Sequence, residues 1–212
     1  MEPGNTAIGL VEAAIARAGD RQRFIIALAG PPGVGKSTLS EALVAEFSRR
    51  DQGAAIVPMD GFHLDNAVLE ARGTLARKGA PFTFDADGYA ALLKRLRMEA
   101  DRDIAVPVFD RRLDLARASG AIITSEHRFL IAEGNYLLLD DPVWRQMAGL
   151  FDLTIMLKAD MEELSRRLIA RWLGYGLDAE AARSRALSND IPNAELVIRK
   201  SIKADLEINT AS

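Results

Sequence analysis

The chain has 212 residues, 49% apolar and 27% charged, the balance of a folded chain long enough for one α/β domain with an insertion. A net charge of −3 excludes the strongly basic surface of a nucleic-acid protein. The absence of cysteine excludes disulfides, thiolate metal sites and cysteine nucleophiles, and fits a reducing cytoplasm.

The N-terminal residues carry no basic stretch followed by a long apolar core, so no signal peptide is read. Residues 6–18 place Ile8, Val11, Ala14, Ile15 and Ala18 at helical spacing. Residues 24–29 form the longest purely apolar run, too short for a membrane span, and read as a parallel strand buried on both faces. Shorter apolar runs recur at 54–59, 129–132 and 153–157, with a last strand expected over 204–208. Helical patterns over 37–49, 89–100 and 161–173 separate them. Strands alternating with helices imply a parallel sheet covered on both faces.

Residues 30–38, GPPGVGKST, match G-x-x-x-x-G-K-[ST] between that strand and a helix. Gly30, Gly33 and Gly35 permit positive φ, so that the backbone N–H groups of the loop, Pro31 and Val34 included in its span, close on phosphate oxygens. Lys36 reaches the β- and γ-phosphates, the Ser37 hydroxyl ligates Mg²⁺, and Thr38 continues the helix start. ATP and Mg²⁺ are the expected ligands, although the loop alone leaves the reaction open. No asparagine begins the N-K-x-D that a GTPase uses to read guanine, and the D-x-x-G at 85–88 precedes a helix.

The second apolar run ends in Asp60, at the carboxyl end of a strand where the ligand crevice of an open α/β sheet lies. A carboxylate there accepts the proton of an attacking hydroxyl and helps hold Mg²⁺; the alternative is a turn residue in a D-G loop. Glu133 ends the next run, as an acid that holds the metal or as a sheet-edge glutamate. His63 lines the same crevice or serves a structural bond, while His127, among Ser125, Glu126 and Arg128, reads as surface. Tyr136 touches substrate or belongs to the core. Between 61 and 128 the chain holds one clear helix, capped by Asp85, and an extended piece at 106–112; this reads as a substrate-side insertion. Asp160 and Glu163 have the spacing of a capping box, ahead of Leu164, Leu168 and Trp172 facing inward. Arg167 and Arg171 follow one turn apart, which on its own is the pattern of a solvated face.

The segments GPPGVGKST, PMDGFH (58–63), RKGAPFTFD (77–85), VPVFDR (106–111) and IAEGNYLLL (131–139) occur in one order. That order resembles the uridine kinase, pantothenate kinase and phosphoribulokinase group of P-loop kinases, and most of all the fructokinase-like bacterial fructose-transport-system kinases. The resemblance runs from about residue 20 to the C-terminus. It implies a P-loop NTPase three-layer sandwich: a mostly parallel five-stranded sheet with helices on both faces, in one domain over 1–212. The insertion is expected at about 61–128 and a lid at about 160–192.

By the same likeness Asp60 is the catalytic base, and Arg171 and Arg167 close over the transferring phosphoryl group and the nucleotide. Asp110 and Arg111 sit where related kinases bind the acceptor, and Asn189 and Asn193 line the substrate mouth or cap helices. The segment from Arg77 to Pro81 is nearer the R-K-G-x-P of pantothenate kinases than the acidic ribose-contacting segment of uridine kinases. The expected partner is a small-molecule hydroxyl acceptor, a sugar first, then a pantothenate-like acid, then a nucleoside. A homodimer is left open, and an ATP-binding accessory ATPase is the alternative from another class.

Overall fold

Six apolar residues in a row, with no polar alternation, need cover on both sides. Phe24–Ala29 (β1) accordingly lies in the middle of the sheet with every residue buried. The computed structural model describes residues 3–210. Beside β1 stand β2 (Ala54–Pro58), β5 (Phe129–Gly134), β6 (Leu153–Lys158) and β7 (Leu206–Asn209), in the order β2-β5-β1-β6-β7. Every pairing in this sheet is parallel. Its register sets Leu28 and Pro58 on either side of Glu133, so three adjacent strands end together and open one crevice.

The faces of β1 divide by period two. Phe24, Ile26 and Leu28 join the core under α1 (Pro3–Ala18) and α2 (Lys36–Arg49), with Leu43 and Phe47 opposite. Ile25, Ala27 and Ala29 join the core under α4 (Ala86–Met98), with Tyr89 and Leu93 opposite. Phe47 stacks on Phe129 with centroids 4.3 Å apart, worth about 0.5–1.5 kcal/mol beyond the area buried. On α1 the inner stripe is Ala7, Leu10, Val11, Ala14 and Ala18. Ile8, expected inside, is 41% exposed because the stripe centres on Val11 and Ala14, against which Ala7 is the better-placed neighbour.

The region after β2 is richer than one helix and one extended piece. A short helix α3 (Asn66–Ala71) precedes α4, whose N-cap Asp85 accepts from Gly88 N at 2.9 Å as expected. Beyond α4, β3 (Ile104–Asp110) and β4 (Leu115–Ile123) form a separate antiparallel hairpin. Sequence pattern missed β4 because it is mostly exposed and contains Ser-Gly; pairing with β3 holds it, not an apolar face. The hairpin lies hard against the turn after β2: a Cβ at Gly61 would stand 2.6 Å from the Pro107 carbonyl oxygen, so only glycine permits this approach.

The chain closes with α5 (Pro142–Arg145), α6 (Met161–Gly174), α7 (Ala179–Arg185) and α8 (Ile191–Lys200). Between α7 and α8 the helix widens into a π-helical turn over Ala186–Asp190, just before Pro192, whose ring cannot supply the next N–H. Asp160 caps α6 without a side-chain hydrogen bond, so the expected capping box does not form. Glu163 turns instead to Arg166 and Arg167, which hold its carboxyl down at about 2.

Candidate active site

The loop between β1 and α2 ends at Gly35, which has φ 98° and gives the helix no side-chain cap. The N-terminus of α2 is therefore left open toward a cavity of about 520 Å³, on whose wall lie Gly33, Gly35, Lys36, Ser37 and Thr38. Lys36 is buried, and its ammonium donates to Gly30 O and Pro31 O at 3.0 Å and to Asn135 Oδ1 at 2.6 Å. Burial lowers its pKa to about 8; the Glu133 and Asp60 carboxylates oppose the shift and Arg171 adds to it. All three hydrogen-bond acceptors are neutral and no carboxylate bonds the amine directly, which suits a phosphate.

Glu133 stands at the end of β5 and accepts from Ser37 Oγ at 2.6 Å and Ser40 Oγ at 2.8 Å. Asp60 follows β2 in a tight turn over Met59–Phe62, and Arg111 from the hairpin tip pairs with it at 3.5 Å. Hydroxyl and carboxylate oxygens, without sulfur or imidazole, form the sparse hard donor set with which Mg²⁺ is held when phosphates complete its shell. Among the described residues no three His, Cys, Asp or Glu side chains gather into a metal cage.

Asp60 also borders a second cavity of about 560 Å³. Asp60, Arg111, Asn135 and Arg171 line both cavities, and so stand at the junction between the phosphate side and the outer chamber. His63 belongs to the outer chamber, its ring 4.1 Å from that of Phe84 and 4.5 Å from that of Phe109. Its Nδ1 lies 2.8 Å from Asp60 O; a carbonyl only accepts, so Nδ1 carries the proton. Burial lowers its pKa, and the Asp60 carboxylate opposes this. The neutral ring is left with Nε2 as an acceptor.

The remaining expected residues divide. Arg171 pairs with Asp190 at 3.1 Å. Arg167 bonds Glu163 at 2.6 Å and reaches Val34 O and Thr210 O, tying α6 to the phosphate loop and the end of β7. It also borders a smaller cavity of about 280 Å³ with Val34, Thr38, Leu157 and Ile208. Asn189 and Asn193 are buried on the wall of the outer chamber, and their Oδ1 atoms accept from Arg77 at 3.0 and 3.3 Å.

Asp110 borders neither chamber: its carboxylate accepts from Arg112 N and Leu113 N at 3.1 Å and shapes the hairpin tip. Tyr136 is fully buried, and its hydroxyl donates to Gly79 O at 2.5 Å, which makes it a core residue bracing the chamber wall. Trp172 is only half-buried, bonded to Asp190 Oδ2 at 2.6 Å. His127 is not simply a surface group: Nδ1 accepts from Thr124 N at 2.9 Å.

Sequence reading did not anticipate Ser40, Asp190 or Arg185. Ser40 had a signal, one turn after Ser37 on the helix, whereas the π-helical turn that delivers Asp190 had none.

Comparison with known proteins gives one consistent result. The profile of the Phosphoribulokinase / Uridine kinase family matches residues 25–211. The uncharacterized protein YggC of Escherichia coli K12 is 35% identical over 196 residues, covering 92% of this chain and 81% of that protein. A provisionally named uridine kinase of Schizosaccharomyces pombe, C227.14, is 34% identical over 194 residues, covering 88% and 83%. Among solved structures, a provisionally named fructose transport system kinase of Silicibacter sp. TM1040 superposes with a TM-score of 0.90 at 44% identity, covering 95% of this chain and 98% of that one.

Proposed function

The chain belongs to the phosphoribulokinase/uridine kinase family, whose members are ATP-dependent phosphotransferases, and from that premise we propose that Asp60 is the base that activates a sugar hydroxyl for attack on the γ-phosphoryl group of ATP. The observation that carries the reading is the position of the Asp60 carboxylate on both chambers at once. The phosphate chamber supplies cations and amides for a triphosphate, and the outer chamber supplies polar groups for a hydroxylated acceptor.

In the proposed step the acceptor oxygen attacks the γ-phosphorus, the bond to the ADP oxygen breaks, and the hydroxyl proton passes to Asp60. Lys36, released from its three neutral acceptors, meets the phosphate oxygens. Arg171 and Arg111, paired with Asp190 and Asp60, turn to the phosphate and supply positive charge as it moves. Mg²⁺, held by Ser37 and Glu133 with Asp60 near, would neutralise the phosphates. His63 Nε2 orients a second acceptor hydroxyl. Arg167 and the small chamber beside Thr38 are suited to the nucleoside end.

The unit we envisage is a single kinase domain with an acceptor-side insertion at about 61–128 and a lid at about 160–192. No helix among the described residues is long and apolar enough to cross a membrane, and a cytoplasmic site of action is part of the proposal.

The sugar assignment is supported by the name of the Silicibacter relative and by the polar chamber. A hydroxy acid of the pantothenate kind is the second reading, favoured by Lys78 and Gly79 on the chamber wall within the R-K-G-x-P segment. Incubating the protein with labelled ATP, Mg²⁺, and fructose, a sugar phosphate, pantothenate or uridine tests the assignment. Labelled phosphate should appear in one of the two sugars. Label in pantothenate or uridine alone would replace the sugar reading, and steady hydrolysis with no labelled acceptor would support an ATPase instead.

A further inference from the structure

We infer that the acceptor bears an anionic group, a carboxylate or a phosphate, received in the outer chamber by Arg185 and the amide of Asn193; this deepens the phosphotransferase reading above and rests on it. The charges lining that chamber pair off with one exception. Lys78 meets Asp114 at 2.9 Å, Arg111 meets Asp60 at 3.5 Å and Arg171 meets Asp190 at 3.1 Å. Arg185 has no carboxylate partner among the described residues. It donates to Ala76 O at 3.3 Å and lies 5.3 Å from the centre of the Trp172 ring. A carbonyl and an indole face hold a guanidinium in place without neutralising it, and most of its donors stay free.

Asn193 is an independent observation. It is 3% exposed, and its Oδ1 accepts from Arg77, which fixes the amide orientation and turns Nδ2 into the unused end. No partner for Nδ2 stands among the described residues, yet the residue lies on the chamber wall. Arg77 itself is held by two neutral amide oxygens, those of Asn189 and Asn193, and leaves a second uncompensated positive charge behind the wall.

The chamber thus offers N–H donors and excess positive charge on a side that takes no part in the phosphate chamber, since Arg185 and Asn193 line only the outer one. A guanidinium with free donors suits a planar carboxylate or a phosphate bound through two oxygens. A neutral acceptor could take the Asn193 amide N–H through a hydroxyl oxygen but would leave the Arg185 charge unmatched.

The test compares matched acceptors: glucose with gluconate and glucose 6-phosphate, and glycerol with glycerate and glycerol 3-phosphate. Acceptor-dependent ADP release is measured for the natural protein and for R185Q and R185K. At least one charged member should exceed its neutral partner by about 10- to 100-fold in kcat/KM, the range of one charge-assisted hydrogen bond, and the better series identifies carboxylate or phosphate. R185Q should erase most of that ratio through KM of the charged acceptor, and R185K should restore part of it.

Neutral members used as well as charged ones would overturn the inference while leaving the kinase reading intact, as would an R185Q that lowers both members of a pair alike. If ATP binds and no acceptor is phosphorylated, the kinase reading fails, and calorimetry with a non-hydrolysable ATP analogue and Mg²⁺ decides the charge question. Gluconate or glucose 6-phosphate binding more tightly than glucose, and more weakly to R185Q, would sustain the anion site; equal binding would end it.

Discussion

Lys36 meets only neutral hydrogen-bond acceptors, and a Lys36→Met substitution isolates what holding its charge there costs. Burial takes its pKa from 10.5 down to about 8, against the pull of Glu133 and Asp60. The unfolded chain therefore binds the proton more tightly than the folded one. The amine's favourable contribution is complete above about 10.5 and is lost as the pH falls through about 8. Keeping the ammonium buried at neutral pH costs roughly 3 kcal/mol, and linkage returns about 2 kcal/mol of this between pH 8 and pH 10.

Urea denaturation of the natural protein and of Lys36→Met at pH 7, 8, 9 and 10 reads the effect, because the other lysines and the tyrosines titrate in both and cancel. The difference should move by about 2 kcal/mol in favour of the natural protein as the pH rises. A saturating ATP analogue with Mg²⁺ should flatten the curve of the natural protein, since bound phosphates favour the charged amine. Parallel stability curves for the two proteins would refute the idea of a strained, phosphate-seeking cation.

Three other changes follow from particular contacts. Glu133→Gln leaves one of the two serine hydroxyls facing an amide N–H, and should raise the Mg²⁺ concentration for half-maximal activity about 10-fold, measured by metal titration. Tyr136→Phe strands the Gly79 carbonyl, and should cost about 1–3 kcal/mol in urea while raising KM for the acceptor more than KM for ATP. Gly61→Ala drives a methyl group into Pro107 O, and should displace the hairpin that carries Arg111. A fall in kcat with little change in ATP affinity, from steady-state kinetics, is expected.

The parts of the site that were legible in the sequence are those built from local spacing. The phosphate loop, its lysine and serine, and the acids closing β2 and β5 all follow from a strand, a turn and the start of a helix. What lay beyond reach depends on contacts between distant segments. Asp60 and Asp110 both follow apolar runs, and only the fold reveals that two amides of the hairpin tip consume Asp110 while Asp60, paired with Arg111, borders both chambers.

Asn189 and Asn193 read as polar residues between helices, yet their work is to hold Arg77, more than a hundred residues earlier in the chain. Tyr136 lies one residue from Asn135, which does face the site, yet in the bend after β5 the tyrosine turns into the core, as do the three residues that follow it. β4 escaped notice because pairing, not hydrophobic alternation, makes it a strand.

The proposed role of Asp60 as the base is isolated by Asp60→Asn followed through a single turnover. Enzyme in excess over γ-labelled ATP, with Mg²⁺ and the acceptor identified by the panel, is quenched over time and the labelled product counted. ATP affinity should stay within a few-fold of the natural protein, while the transfer rate falls about 100-fold or more. Transfer at the natural rate would contradict the assignment of Asp60 as the base, and so would a loss of ATP binding large enough to account for the slower turnover.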